Sequence, residues 1–277
     1  MSKKIACESC GHKFSGNYCN FCGEKVIKED DRRLKHLFSE VFNAFTFVDS
    51  KLWYTLKVML VSPGRFPRDY VEGRRLRYMR PIALFFMANL IYFLFPLINT
   101  FTTDLQIQLN GFFYSDLATS MVDGFLSTSS STYEEFELLY NTKTAGFSKL
   151  LLIVFVLIQA IFFALIHIGS TKRLMADHVA INMELMSFVL LIGIELMAIF
   201  LSVVVLITKW GFLFSNFYLT GVIIVLLGWY FFHMEKKFYG FKGIRRIINA
   251  LFCLVSTAVT LMIYRGLLFF ITFWSTT

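Results

Sequence analysis

Long runs of hydrophobic residues fill most of the chain after residue 81. A helix of about 20 apolar residues spans the ~30 Å hydrocarbon layer of a bilayer. Runs of that length predict five membrane-spanning helices, near residues 82–101, 150–168, 185–208, 212–232 and 247–274. Asn89 and Pro96 interrupt the first run. The pattern predicts an all-α polytopic membrane domain over residues 81–277.

Residues 25–80 have a different pattern and form a second predicted domain. Between 35 and 61, apolar residues recur at near-helical spacing with polar residues between them, until Ser62-Pro63-Gly64 breaks the pattern. No run here is long enough to span a bilayer. We expect amphipathic helices at the cytoplasmic interface, or a soluble helical hairpin packed on the membrane domain.

A long connection at 102–147 joins the first two predicted spans and is rich in Ser, Thr and acidic residues. Thr132 precedes Glu135 by three residues, which is the spacing of a capping box. This spacing predicts a short helix from Tyr133 to Tyr140. A flexible linker is the alternative.

Basic residues are distributed unevenly around the spans. Lys172-Arg173 separates the second span from the third, and the stretch from Lys236 to Arg246 separates the fourth from the fifth. Six arginines precede the first span: Arg65, Arg68, Arg74, Arg75, Arg77 and Arg80. Because Lys and Arg concentrate in cytoplasmic loops, we expect a cytoplasmic N-terminus, an extracytoplasmic 102–147 loop and an extracytoplasmic C-terminus. The six arginines are also candidates for contacts with anionic lipid headgroups.

Four of the five cysteines form two tight pairs near the N-terminus, Cys7 with Cys10 and Cys19 with Cys22. Two such pairs complete the tetrahedral sulfur site of a structural zinc, whose closed shell leaves no position for catalysis. We expect a zinc ribbon over residues 1–24 that binds one structural Zn²⁺. Disulfides are the alternative, but the first residues show no export signal, which favours a metal site.

Glu195 is an acidic residue near the middle of the third predicted span. An isolated carboxylate there costs at least about 2.5 kcal/mol, so it is expected to face protein or water. At 100° per residue, Asp177 and Glu184 fall within about 40° of the same helical face, and His178 lies beside it. The stripe is either an ion or proton path, or a second metal site that uses His178. The alternative is a buried polar group bonded to another helix, through Gln159 or Asn89.

Other polar residues near the spans are assigned ordinary structural roles. Cys253 is expected to be a small buried apolar side chain. His167 and His233 are expected at the interface, at the cytoplasmic ends of helices. For Arg265, snorkelling to the outer interface is favoured over a salt bridge with Glu195.

Composition agrees with a membrane protein and excludes few functions. The chain has 277 residues, is 56% hydrophobic and carries a net charge of +8, with a mean hydropathy of +0.61. The basic residues lie beside apolar runs, so topology and anionic lipid explain the charge and nucleic acid is not an expected partner. No His-Glu-x-x-His, Ser–Lys or paired-aspartate motif supports an intramembrane enzyme, so enzymatic activity is not expected.

Several short motifs resemble those of a bacterial membrane family common in the Bacteroidetes, the domain of unknown function 3667 family. They are Asn17-Tyr18-Cys19-Asn20-Phe21-Cys22-Gly23, Ser62-Pro63-Gly64, Tyr70-Val71-Glu72-Gly73-Arg74-Arg75 and Arg77-Tyr78-Met79-Arg80-Pro81. The resemblance covers residues 7–100 and is weaker at Asp177-His178-Val179. It implies zinc binding and a membrane location, and no particular activity. That family often has a histidine where this chain has Glu184, which counts against a shared histidine-based metal site.

Two functions follow from these features. The first is an oligomeric channel, transporter or membrane effector of the bacterial inner membrane, regulated by a cytoplasmic partner. The second is a scaffold or accessory subunit without transport, whose ribbon docks a protein partner. The expected partners are the bilayer, anionic headgroups, and further copies of the chain or another protein bound through the ribbon.

Overall fold

The computed structural model describes residues 5–6, 10–21 and 51–277. The chain forms two compact units, Met1–Lys51 and Leu52–Thr277. In the first unit, β1 (Ile5–Ala6) pairs antiparallel with β2 (Lys13–Phe14). Phe14 and Cys19 are buried together beside this hairpin. The predicted helices between residues 35 and 50 lie outside the described residues.

The second unit is helical. Residues 51–61 are helical (α1), and this helix ends at the predicted Ser62-Pro63-Gly64 break. The helices that follow are α2 (Arg65–Val71), α3 (Pro81–Leu94), α4 (Leu105–Asn110), α5 (Ser115–Thr128), α6 (Tyr133–Ile166), α7 (Met175–Phe188), α8 (Met197–Thr208), α9 (Asn216–Met234) and α10 (Gly243–Thr276). A π-helical segment, Val189–Leu196, joins α7 to α8, and another, Glu235–Tyr239, extends α9. A 3-10 turn at Gly211–Phe214 precedes α9.

Four helices in the described part of the chain are long and apolar enough to cross a membrane: Tyr133–Ile166, Met175–Thr208, Phe217–Tyr239 and Gly243–Thr276. The prediction of five was wrong, because α3 has only 14 residues and reaches about 21 Å. Phe95 ends the helix one residue before Pro96. Proline has no N–H to donate and disfavours helical dihedrals in the residue before it.

The segment after α3 is not helical, and tyrosine hydroxyls bind its backbone. The Tyr92 hydroxyl accepts hydrogen bonds from the Thr100 N–H at 2.9 Å and the Phe101 N–H at 3.3 Å, and donates to the Ile98 carbonyl at 3.3 Å. The Tyr264 hydroxyl donates to the Phe101 carbonyl at 3.0 Å. Backbone groups that a helix would have paired are thus satisfied by side chains from α3 and α10.

Helices α6 and α10 form the long axis of the bundle. Each has 34 residues and is about 51 Å long. The predicted capping box is present: the Thr132 hydroxyl accepts from the Glu135 N–H, and the Glu135 carboxylate accepts from the Thr132 N–H. The helix that it begins continues to Ile166 and does not end near Tyr140, so residues 102–147 include two helices and part of α6.

The helices pack in a simple order: α10 and α7 both contact α6, α3 contacts α7, and α9 contacts α10. Gln159 joins α6 to α10 in the interior. Its amide donates to Ser256 and Thr257, both at 3.0 Å, and its carbonyl accepts from Thr260 at 2.5 Å. Such contacts between membrane helices contribute about 0.6 kcal/mol each, and at most about 1.7.

The two ends of the bundle differ in composition. At one end, α4 and α5 pack on α6 and α10 through aromatic residues that include Tyr114, Phe136, Tyr140, Phe269 and Phe273. We call this the far end. At the other end lie α2, the α6–α7 connection and residues 235–246, which bond to one another: Arg68 donates to the Lys237 carbonyl, Arg173 to the Phe238 carbonyl and Arg245 to Ser170. We call this the basic end.

Candidate functional site

The carboxylate of Glu184 is completely buried at the basic end. Its Oε2 accepts hydrogen bonds from the Gly64 N–H at 3.1 Å and from the Tyr230 hydroxyl at 2.9 Å. Its Oε1 is buried without a hydrogen-bond partner. These two bonds connect the α1–α2 turn, α7 and α9. We call Gly64, Glu184 and Tyr230 the carboxylate clamp.

Gly64 meets two requirements that together favour glycine. Its φ is +79°, a left-handed conformation that costs other residues about 1–2 kcal/mol. A β-carbon at this position would lie 3.0 Å from the Cα of Met234 and 3.2 Å from the Cβ of Phe238. The close approach lets the Gly64 N–H reach Glu184.

Five of the six predicted arginines line one cleft at the basic end, with a volume of about 420 Å³. Arg80 is not among its lining residues. The cleft lies in and just after α2 and is lined by Tyr54, Arg65, Arg68, Asp69, Gly73, Arg74, Arg75, Leu76, Arg77 and Tyr78. We call it the arginine cleft.

Asp69 organises the inner wall of this cleft. Its Oδ1 accepts hydrogen bonds from Arg68 and Arg74, both at 2.8 Å, and its Oδ2 accepts from the Tyr78 hydroxyl at 2.9 Å. Burial acts to raise the pKa of Asp69, but the bonds from Arg68 and Tyr78 and the arginine charges outweigh it, so that pKa is lowered. Burial and the bond to Asp69 raise the pKa of Tyr78. Asp69 is therefore an anion at neutral pH, and Tyr78 remains its donor.

The outer wall of the cleft presents arginines that are less fully paired. Arg75 donates to the Tyr70 carbonyl at 3.1 Å and lies over the Tyr70 ring. Arg77 forms no ion pair with any described residue. Between them, Leu76 is 88% exposed. An exposed apolar residue therefore lies between two arginines in the sequence.

A second polar cluster lies deeper at the basic end, where three helices meet. His167 follows α6, Glu235 begins the π-helical extension of α9, and Cys253 lies in α10; all three are buried. The ligand atoms of these side chains lie within 4.8 Å of one another. His167 lies at the end of α6 and is buried within the protein, while Cys253 is buried as expected but contacts a carboxylate. We call these residues the His–Glu–Cys cluster.

The four residues of the predicted acidic stripe have separate surroundings. The Asp177 carboxylate accepts from the Leu174 N–H at 3.0 Å at the start of α7. His178 bonds the Tyr239 hydroxyl at 2.9 Å, and Glu184 belongs to the carboxylate clamp. Glu195 lies in the π-helical segment, beside the backbone of Leu97. Because a π turn contains more residues than an α turn, the 100° spacing does not continue through this segment.

The partners expected for Glu195 are engaged elsewhere. Gln159 bonds residues of α10, and Asn89 donates to the Lys149 carbonyl at 3.0 Å. Arg265 donates to the Thr100 carbonyl at 3.5 Å and stacks on Phe112. Glu195 itself is 6% exposed, and its Oε1 is buried without a hydrogen-bond partner.

In the first unit, the Sγ atoms of Cys10 and Cys19 lie 3.7 Å apart. These residues come from the two different predicted ligand pairs. Cys7 and Cys22, the other predicted ligands, lie outside the described residues. The contact therefore brings the two halves of the cysteine motif together.

Residues 49–93 match the family model described as a protein of unknown function, DUF3667. This confirms the resemblance over the α1–α3 region. The DUF3667 match includes Gly64 of the carboxylate clamp and all residues of the arginine cleft. No curated protein and no solved structure matches the chain.

Sequence reasoning found the arginines of the cleft but did not find the His–Glu–Cys cluster. A usable signal was present, since His167, Glu235 and Cys253 lie near the ends of three predicted spans. The predicted topology puts all three ends at the same face of the membrane. The sequence does not show that these three side chains point toward one another, so the cluster could not be predicted.

Replacing Gly64 by alanine tests the close packing at the carboxylate clamp. We expect Gly64→Ala to lower the free energy of unfolding by about 1–3 kcal/mol more than Gly73→Ala, because only the first variant forces a contact with Met234. Gly73 is the matched control, since its φ is also positive, +95°, and a β-carbon there meets no atom within 4 Å. Thermal unfolding in detergent measures both, and equal losses would contradict the packing argument.

Proposed function

We propose that the chain is a non-enzymatic scaffold of the bacterial inner membrane that binds anionic phospholipid headgroups in the arginine cleft. The observation that supports this most directly is the clustering of five arginines around one open cleft. Arginine binds phosphate through paired N–H groups and stays charged at any physiological pH. In this proposal the ribbon domain binds a protein partner, and the membrane domain holds the assembly at the bilayer.

The charge balance of the cleft favours an anionic ligand. Asp69, on the inner wall of the cleft, neutralises part of the arginine charge. Glu72 pairs with Arg74 at 2.6 Å and with Arg173 at 3.3 Å. Five arginines against these two carboxylates leave an excess of positive charge. Arg75 and Arg77 contribute most to the excess, because no described carboxylate pairs with them.

The exposed Leu76 favours a lipid over a soluble phosphate. A leucine that is 88% exposed between two arginines suits the membrane interface, where the apolar side chain enters the acyl region and the guanidinium groups remain at the phosphates. A cleft for a soluble anion gains nothing from this leucine.

Positive charge at one end of the bundle supports a cytoplasmic basic end. The N-terminal unit then lies in the cytoplasm.

The segment from α3 to α4 runs from the basic end to the far end. Helix α3 begins at the basic end, since Leu84 belongs to the same core cluster as Phe66 and Met234, and α4 lies at the far end. Helix α3 provides about 21 Å of this distance, and the non-helical segment after it provides the rest. Such a segment is tolerated at membrane depth when protein groups satisfy its backbone, as Tyr92 and Tyr264 do here. This topology leaves the C-terminus extracytoplasmic.

Removing the two least paired arginines tests the lipid proposal. We expect the double variant Arg75→Gln, Arg77→Gln to bind short-chain phosphatidylglycerol about 30-fold more weakly in detergent, since each basic side chain contributes about 1 kcal/mol. Native mass spectrometry measures the bound lipid. Short-chain phosphatidylcholine and inorganic phosphate are the comparison ligands.

The matched control is Lys172→Gln, Lys242→Gln, which removes the same charge from exposed positions at the basic end outside the cleft. We expect less than a threefold effect in this control. If both double variants weakened phosphatidylglycerol binding equally, the binding would come from general surface charge and not from the arginine cleft. Binding of inorganic phosphate as tight as that of phosphatidylglycerol would overturn the lipid assignment.

We further propose that the four N-terminal cysteines bind one structural Zn²⁺. Two thiolates on one tetrahedral zinc are about 3.8 Å apart at the usual 2.3 Å bond length, whereas bonded disulfide sulfurs are about 2.05 Å apart. The 3.7 Å between Cys10 and Cys19 fits the shared metal. When bound, zinc would supply folding energy to a unit too small for an apolar core.

Chelation tests the zinc proposal. We expect a strong chelator, or the substitutions Cys10→Ser and Cys19→Ser, to abolish protection of residues 5–21 against protease while helices α2–α10 keep their thermal stability. Protease mapping by mass spectrometry follows the first unit, and circular dichroism follows the second. Unchanged protection in the metal-free chain would contradict a structural zinc.

A second candidate function, an ion or proton path, is favoured by Glu195 alone. A carboxyl oxygen buried without a partner in a π-helical segment is unusual, and such segments often occur at functional sites. We expect liposomes that contain the protein to conduct protons or cations, and Glu195→Gln to reduce the flux at least tenfold. No flux under any ionic gradient would exclude the path, while an unchanged flux in Glu195→Gln would exclude Glu195 from it.

A further inference from the structure

The His–Glu–Cys cluster brings three kinds of metal-ligand atom to one buried point. His167 Nε2 lies 3.0 Å and 3.2 Å from the two carboxylate oxygens of Glu235. Cys253 Sγ lies 3.5 Å from Glu235 Oε1. The side chains come from three separate helical elements, and none is exposed to solvent.

The Phe163 carbonyl fixes which nitrogen of His167 carries a hydrogen. The Nδ1 atom of His167 lies 2.7 Å from the Phe163 carbonyl oxygen, which can only accept. Nδ1 therefore carries a hydrogen, and in the tautomer that has no hydrogen on Nε2 the lone pair of Nε2 is directed at the Glu235 carboxylate. An imidazole lone pair and two carboxylate oxygens repel one another unless a cation lies between them. No Lys or Arg of the described chain pairs with Glu235, so the cation is a metal ion or a proton.

Two of the three ligand-atom separations are close to those around a metal ion, and the third, from His167 Nε2 to Cys253 Sγ, is at most 4.8 Å. At usual zinc bond lengths, tetrahedral ligands are separated by about 3.3 Å for nitrogen and oxygen and by about 3.5 Å for oxygen and sulfur. Nε2 is also nearly equidistant from both Glu235 oxygens, which suits a shared ion better than one directed hydrogen bond. We propose that His167, Glu235 and Cys253 bind a divalent transition-metal ion of the zinc type.

Surrounding groups hold these ligands as the outer shell of a metal site does. The Phe163 carbonyl fixes the His167 tautomer, and Asn249 donates to Glu235 Oε2 at 3.3 Å. The Tyr239 ring stacks on the His167 ring at 3.6 Å with an interplanar angle of 9°. The ring of His167 therefore has one orientation, and Nε2 has one direction.

An open cleft lies beside His167 at the basic end, although the His167 side chain itself is not exposed. The cleft has a volume of about 310 Å³ and is lined by His167, His178, Arg173 and residues of the α6–α7 connection. Three protein ligands leave a further coordination position. The site is distinct from the cysteine ribbon and does not depend on the lipid or zinc-ribbon proposals.

Metal binding by a chain that lacks the ribbon ligands tests this site. The background is the full-length protein in detergent with all four ribbon cysteines replaced (Cys7→Ser, Cys10→Ser, Cys19→Ser and Cys22→Ser), stripped by chelator and titrated with Co²⁺ or Zn²⁺. We expect one equivalent to bind, and the Co²⁺ form to show a sulfur-to-cobalt charge-transfer band that Cys253→Ala abolishes. Glu235→Gln is expected to weaken binding at least a hundredfold, while His233→Ala, a partly exposed histidine on α9, leaves binding unchanged.

Glu235→Gln keeps the test valid if the alanine variants unfold. The glutamine amide can donate to His167 Nε2, so the fold is retained while a charged ligand is lost. Circular dichroism and size-exclusion chromatography monitor the fold. A folded ribbon-deficient chain that binds no stoichiometric metal, or that binds it equally well after Glu235→Gln, would overturn the proposal and leave a proton shared between His167 and Glu235.

Discussion

The basic end of this protein depends on one buried carboxylate. Burying Glu184 costs several kcal/mol unless donors surround it, and the donors are the Gly64 N–H and the Tyr230 hydroxyl. One belongs to a tight turn and the other to α9, so Glu184 Oε2 has both donors only when the turn, α7 and α9 meet in one arrangement. The DUF3667 match over residues 49–93 includes this turn, which ties the matched stretch to packing with helices far along the chain.

The turn at Gly64 also determines where the arginine cleft forms. Helix α2 begins at Arg65, directly after the turn, and its arginines are aligned by Asp69 and by the Lys237 carbonyl. An isolated peptide of this sequence would be a short, highly charged helix with little stability of its own. Packing of Phe66 in the basic-end core is what keeps the guanidinium groups in one place.

The sequence predicted the features that depend on local pattern. Apolar runs located α6, α8, α9 and α10, and the clustered arginines were predicted to contact lipid phosphates, but the pattern did not predict that five of them line one cleft. The length of α3 was wrong because Pro96 ends the helix within an apolar run, and composition alone does not show that tyrosines will satisfy the released backbone. The carboxylate clamp was beyond prediction, since Gly64 and Glu184 are 120 residues apart. The acidic stripe assumed regular α-helical spacing, which the π-helical segment at 189–196 does not keep.

The last turns of α9 connect the separate features of the basic end. Tyr230 donates a hydrogen bond to Glu184, and Met234 packs closely against Gly64. Glu235 contacts His167 and Cys253. The Lys237 carbonyl accepts a hydrogen bond from Arg68. The π-helical extension that starts at Glu235 allows this stretch to turn a carboxylate inward while its lysines stay outside. Because all four contacts belong to residues 230–239, a ligand that displaces α2 acts on the same helical turns that hold the His–Glu–Cys cluster. Two sites that share a helical segment change each other's ligand affinity only if a ligand binds one position of that segment more tightly than another. The rigidity of this stretch of α9 therefore determines whether the arginine cleft and the buried cluster act independently or together.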